Sequence, residues 1–363
     1  MDLNLPMVSA VVQELIKLGE LVEEGYATST GGRKAQLLDV NPRRGGVVAI
    51  EFSSSGILSA AADSKGRLSN HVARRFDFSL GMNEAIRALI DAVQHQIEFL
   101  KEDEGLPLLR IGIVTNGPVD EANGVSLSIN GFPGWDNVPI GPMLADEFDV
   151  PADLGSQPVA VALAETLSGA HRDLREMLVV QLGPALACCP VVGGDVYRGR
   201  LPLVGELGQV IVPGPGGEPL RLAQLASASS MVRRAGEAIA AGGASEIPNH
   251  VEDGDAITVS AIFGAGDMGD PLAQRIVDEA AEGVSVALAA VGSILAPEAI
   301  LLGGTMTADG ERLVARIEER TRALLNPLLG NAVRFERGSF GGQAGVAGAV
   351  AVALTAHYNT FAD

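Results

Sequence analysis

The sequence predicts an α/β protein of two similar lobes, preceded by a helix and a β-ribbon. Three observations predict it. Apolar strands alternate with helical stretches along most of the 363 residues, the pattern of packed α/β layers. A strand–turn–strand–turn unit occurs twice, as VVAIEFSSSGILSAAADSKGRL at 47–68 and LVVQLGPALACCPVVGGDVYRG at 178–199. The first 44 residues have a different texture, one amphipathic stretch and then Gly-rich alternation. The repeated unit reads as a weak internal duplication. Two lobes of this kind facing each other leave a cleft for a small ligand, with the turn after the first strand of each lobe directed at it.

The first element is a helix. In LNLPMVSAVVQELIKLG, Val8, Val11, Val12, Leu15 and Leu18 recur at three- and four-residue spacing and form one apolar face. Asn4 suits an N-cap, Pro6 is tolerated in the first turn, and Gly19 suits the stop. LVEEGYATSTGGRKAQLLDV then alternates about a Gly-rich turn with Arg33 and Lys34 at its edge, a hairpin pattern. The first lobe opens with the hairpin at 47–68, continues with a long helix around 83–101 and adds the strand LRIGIVT. DLGSQPVAVALAE, residues 153–165, runs from a loop into an Ala-rich helix, where an α/β enzyme often places its catalytic group. After the second hairpin come a helical stretch at 220–242 and a Pro/Asp/Gly-rich connection at 243–256, which reads as a mobile surface loop. A helix at 271–295, the strand EAILLGG, a helix at 309–325, the strand VRFERGS and an Ala-rich helix at 343–357 complete the chain.

Composition is globular, with 47% hydrophobic and 20% charged residues. Gly, Pro or charge interrupts every apolar stretch before about 18 residues, so no membrane-spanning helix is expected. Asp2 and Pro6 break any signal-peptide pattern. The only cysteines, Cys188 and Cys189, are adjacent, which excludes a disulfide framework and a four-cysteine zinc site. A reduced cytoplasmic protein is expected. The net charge of −19 argues against a broad nucleic-acid surface. Residues 1–44 hold six acids and five bases, so almost all of that negative charge lies beyond them. Any DNA contact belongs to this first segment.

Four stretches together resemble the ROK family of sugar kinases and sugar-responsive transcriptional repressors, over nearly the whole chain. They are TSTGGRKAQLLDVNP, NGPVDEANGVSLSINGFPGWDNVPIGPMLADEFDVP, GELGQVIVP and PEAILLGGTMTADGERL. The first is typical of the repressor branch, in which a winged helix-turn-helix precedes a kinase-like body. The resemblance implies a two-lobed actin-like ATPase (ribonuclease H-like) fold preceded by a partial winged-helix segment. On that plan residues 1–45 are the recognition helix and wing. Residues 46–155 with the C-terminal helix 343–363 form one lobe, and 156–342 form the other. The family carries two further helices before the helix at 4–18, so the helix-turn-helix reads as truncated.

Position by position, the resemblance implies a body without kinase chemistry. The family's first phosphate loop follows a strand Asp and is Gly-Gly-Thr; here the strand has Glu51 and the loop is Ser53, Ser54, Ser55. Glycine lets backbone N–H groups approach phosphate closely. The second loop reads Gly183, Pro184, Ala185, Leu186, Ala187, Cys188, and Pro184 lacks a donor. The family's Asn-Asp pair falls on Ser156 and Gln157, so an amide stands where a general base is needed. Such a loss costs about two to four orders of magnitude in rate. Asp153 is the nearest substitute carboxylate. The family's zinc His falls on Gln209, and VPGPGGEPLRLAQLAS replaces its cysteine-rich turn; a sugar-contacting Glu falls on Ala223. No cofactor and no metal are expected.

The candidate effector-binding residues are Asn130, Gly131, Trp135, Ser156, Gln157, Glu206 and Gln209. Asn130 and Trp135 either line a sugar pocket or build a turn and plug the interior. Glu206, Gln209 and Gln157 either bind sugar hydroxyls or are solvated turn residues. The candidate DNA-binding residues are Met7, Ser9, Ala10 and Gln13 toward the major groove, with Arg33 and Lys34 on the wing. Cys188 and Cys189 read as core. The expected function is a catalytically inactive regulator that senses a sugar or sugar phosphate and controls operator binding as a homodimer or homotetramer. The alternative is a divergent ATP-dependent sugar kinase.

Overall fold

The computed structural model describes residues 5–26, 36–53, 56–129, 131–201, 203–251 and 256–361. The chain divides into two compact units, Met1–Gly155 together with Ala349–Asp363, and Ser156–Gly348. The first contains α1 (Leu5–Lys17), an antiparallel ribbon of β1 (Leu21–Tyr26) and β2 (Gln36–Val40), and β3 (Gly46–Ser53), β4 (Gly56–Asp63) and β5 (Leu68–Arg74). Next come α2 (Met82–Phe99), β6 (Leu108–Thr115), the short strands β7 (Val119–Asp120), β8 (Val125–Ser128) and β9 (Asp136–Val138), α3 (Ile140–Phe148) and β10 (Ala152–Ser156). The sheet order is β10-β6-β3-β4-β5, with β3 antiparallel to β4 and parallel to β6.

The second unit holds α4 (Gln157–Ser168), β11 (Met177–Leu182), β12 (Leu186–Val192), β13 (Asp195–Val196), and a small ribbon of β14 (Ile211–Pro213) and β15 (Pro219–Arg221). There follow α5 (Leu222–Ala226), α6 (Ala228–Ala240), α7 (Val259–Asp267), α8 (Pro271–Leu295), β16 (Ala299–Gly303), α9 (Glu311–Leu324), α10 (Pro327–Ala332) and β17 (Arg334–Arg337). Its sheet order is β13-β12-β11-β16-β17. The two sheets share one plan: an antiparallel hairpin of three strands, whose first strand pairs in parallel with a later crossover strand. The duplication read in the two hairpins is therefore present in the topology. The last helix, α11 (Ala344–Asn359), starts in the second unit and ends in the first.

Strand alternation sets the cores. Val48, Ile50 and Phe52 of β3 and Ile111 and Ile113 of β6 enter one cluster with Leu89 and Val93 of α2. In the second unit Leu178, Val180 and Leu182 face a large core with α5 to α9, while Met177 and Val179 face α4. Strands buried on both faces read as continuous apolar runs, which is why they are visible in the sequence. Small residues admit close helix packing: a Cβ on Gly112 of β6 would lie 1.9 Å from the Ala349 carbonyl of α11.

Three sequence expectations change. The stretch 220–242 is two helices, because Ser227 is extended (φ −69°, ψ 152°) and caps α6 by accepting from the Ser230 N–H at 3.3 Å; serine competes well for such positions. Helix α7 was not anticipated, its Gly-rich sequence having weak propensity. The connection 243–256 is anchored in its first half: Ile247 is fully buried, and the Glu246 N–H donates to Asp270 at 2.6 Å. Residues 252–255 of that connection lie outside the described residues.

Candidate functional site

The loop of residues 129–135 connects β8 to β9, which pair Ser126 with Val138 and Ser128 with Asp136. Asn130 lies outside the described residues; Gly131 is exposed. Two successive turns close the loop, with the Phe132 N–H donating to the Ile129 carbonyl at 3.1 Å and the Trp135 N–H to the Phe132 carbonyl at 3.3 Å. Gly134 sits at φ +86°, a conformation open to glycine. Trp135 is 2% exposed, and its indole N–H donates to Ser126 Oγ at 3.0 Å. Its ring meets Phe52 edge-on at 5.1 Å and lies 5.3 Å from Phe132. Trp135 therefore forms the floor beneath the loop, and an open stacking face for a pyranose is not what this residue offers.

Beside this floor β6 ends at Thr115, which is level with Phe52 in the parallel pair. Thr115 is wholly buried and its Oγ1 has no hydrogen-bond partner. The next residue, Asn116, is buried and its N–H donates to the Phe52 carbonyl at 3.3 Å. A Cβ on Gly117 would lie 2.2 Å from the Ser128 carbonyl, so the end of β6 is pressed against the strand leading into the loop. Neither Thr115 nor Asn116 was picked from the sequence, where a Thr-Asn pair after an apolar strand carries no spacing signal.

Ser156 is the N-cap residue of α4, in extended conformation and without a side-chain cap bond, and Gln157 is the first helical residue. Asp153, the alternative base, accepts a two-pronged contact from Arg110, Nε at 2.7 Å and Nη2 at 3.0 Å. That geometry ties up both carboxylate oxygens. In the second unit Glu206 and Gln209 share a short turn, where the Gln209 N–H donates to the Glu206 carbonyl at 3.0 Å. The residue Glu206 is open to solvent, yet partial burial of its carboxyl raises it above the usual carboxylate range. Gln209 Oε1 is already taken by Arg221 Nη1 at 2.5 Å. The ribbon that follows, 211–221, contains neither Cys nor His. This donor set does not fit the zinc ion that the family resemblance implies. Cys189 is fully buried, and burial pushes the Cys188 thiol up to about 12, which suits core packing and leaves no thiolate for chemistry.

On α1 Met7, Ser9, Ala10 and Gln13 are all exposed; Arg33 and Lys34 lie outside the described residues. The apolar face expected of this helix is only partly covered, with Val8, Val11 and Leu18 each at least 40% exposed. Two charged clusters dock the segment on the first unit. Glu20, 2% exposed, accepts from Arg44 Nε at 2.6 Å and lies 3.3 Å from His357 Nε2 of α11. Lys65 bridges Asp39 and Glu24 of the ribbon, and its hydrogen bond holds the Asp39 carboxyl below the usual range. Among the described residues no helix is long and apolar enough to cross a membrane.

Comparison with known proteins places these features. The sequence model of the ROK family matches residues 57–356. A xylose repressor of Caldicellulosiruptor bescii is 24% identical over 328 residues, 88% of this chain and 80% of the repressor. A glucokinase of Halalkalibacterium halodurans is 28% identical over 221 residues, 59% of this chain and 67% of the kinase. Among solved structures, a ROK family transcriptional regulator described as a homolog of the E. coli MLC protein superposes with a TM-score of 0.81. The identity is 21%, covering 99% of this chain and 90% of that one.

Proposed function

The chain belongs to the ROK family, and from that premise we propose that it is a transcriptional regulator without kinase activity. It senses a sugar or sugar derivative beside the loop 129–135 and controls operator binding through its N-terminal segment. The observation that carries this reading is Gln157 at the first position of α4, where the resemblance implies the general base. An amide has no useful basicity near neutral pH. Two further features support it. Pro184 has no N–H to offer a phosphate, and the Gly183 carbonyl beside it already accepts from the Ala228 N–H at 3.0 Å. The repressor relative matches more of this chain than the kinase relative does.

The DNA-facing residues in this proposal are Met7, Ser9, Ala10 and Gln13 on exposed α1, with Arg33 and Lys34 on the wing, in a homodimer or homotetramer. Xylose and glucose are the first sugars to test, on the strength of the relatives' names. The deciding experiment incubates purified protein with ATP and each sugar and follows ADP release. No turnover above background is expected, and steady phosphorylation would overturn the assignment. The glucokinase relative keeps a second reading in view, a divergent kinase using Asp153 as base. In that case Asp153→Ala abolishes turnover; the grip of Arg110 on that carboxylate speaks against it.

A further inference from the structure

We propose that Thr115 and Asn116, at the carboxyl end of β6, read the hydroxyl groups of a neutral sugar. This inference rests on the sugar-sensing reading above and adds to it two residues that reading does not use. The first observation is the orphaned Thr115 hydroxyl. Buried hydroxyls are nearly always hydrogen-bonded in folded proteins, because an unpaired one has given up water and received nothing. Valine would fill the same space without that cost, and β6 supplies aliphatic side chains at Ile111 and Ile113 on the same face. The second observation is Asn116. It is only 9% exposed, and its backbone N–H is committed to Phe52. Two consecutive buried polar residues thus stand at one point of the fold, the first with its hydroxyl unpaired.

That point is where an open α/β sheet binds ligands, outside the carboxyl ends of its parallel strands. β3 and β6 are such a pair, in register at Phe52 and Thr115. Gly117 holds the end of β6 against Ser128, directly before the loop whose floor is Phe52, Phe132 and Trp135. A hydroxyl and an amide at this point match the hydroxyl rim of a sugar. Both groups donate and accept, and neither carries charge, so this corner is suited to neutral hydroxyls. Asn116 meets the ligand directly. Thr115, one residue deeper, gains its partner when a sugar hydroxyl or a water held by the sugar reaches the end of β6.

The test titrates wild-type protein, Thr115→Val and Asn116→Ala with D-glucose, D-xylose and the monodeoxy analogues of glucose, following Trp135 fluorescence and binding heat. For the sugar that binds wild type, each variant is expected to bind roughly five- to tenfold more weakly, the value of one hydrogen bond. Each variant should also lose the wild type's preference for that sugar over one deoxy analogue, because a site built around a hydroxyl penalises its absence. Thr115→Val should at the same time melt higher than wild type in the absence of sugar. A purely structural Thr115 would show the higher melting point with unchanged affinity, and that result overturns the proposal for this residue. Variants that bind and discriminate as wild type does overturn it entirely while leaving sugar sensing intact. A wild type that responds to none of the sugars removes both readings. If Asn116→Ala fails to fold, Asn116→Asp, which keeps the shape and loses the donor, takes its place.

Discussion

At Glu51 strand β3 carries a carboxyl into a partly buried position, and loss of hydration pushes it up to about 7 from an ordinary 4.5. Between those two values the folded chain keeps a proton that the unfolded chain has released. Stability contributed by this group therefore falls as pH rises from about 4.5 to about 7, and is level above that. Glu51→Gln removes the penalty. Its melting temperature should match wild type near the acid end of the window and exceed it at mildly alkaline pH; an offset independent of pH would show that ionisation of Glu51 is not the cause. Glu51 is legible in the sequence as a departure from the family's strand Asp, but its burial is not, because that depends on neighbouring strands. The same holds for Trp135. Its place in an Asn-Gly-Phe-Pro-Gly-Trp turn pointed to a ligand loop, whereas its contacts with Phe52 and Ser126 put it beneath that loop.

Elements with strong periodicity or uninterrupted apolar runs are visible from the sequence, and the short ones are not. β7, β8 and β9 have two, four and three residues, too few for any period to register. They nevertheless carry the candidate ligand loop. The Ala-rich character of α11 was visible, and the structure supplies its reason: the helix lies so close to β6 that Gly112 has no room for a side chain. Gly112→Ala should therefore push α11 from the sheet and destabilise the protein by about 3 kcal/mol, a typical overpacking cost. Denaturant midpoints measure this directly. An unchanged midpoint would mean that α11 yields without cost and that the small residues of the pair have another purpose.

For the molecule as a whole, the repeated hairpin was enough to expect two like-built sheets, since a topology of three antiparallel strands and two crossover strands recurs in both units. How the N-terminal segment is held was not legible. Glu20 looks like one acid among several in the sequence, and one of the two side chains that meet its buried carboxylate is His357, 337 positions away. Glu20→Ala should release the segment while leaving both cores intact. Limited proteolysis should then cut between residues 20 and 45 much faster than in wild type, with little change in the main thermal transition; equal cutting rates would show that Lys65 and its partners suffice. The span of this contact bears on biosynthesis. At about 5–20 residues per second, a ribosome needs roughly 20–70 s to reach His357 after making Glu20. During that interval the nascent segment lacks its contact with α11, and that part of its placement is among the last features the growing chain acquires.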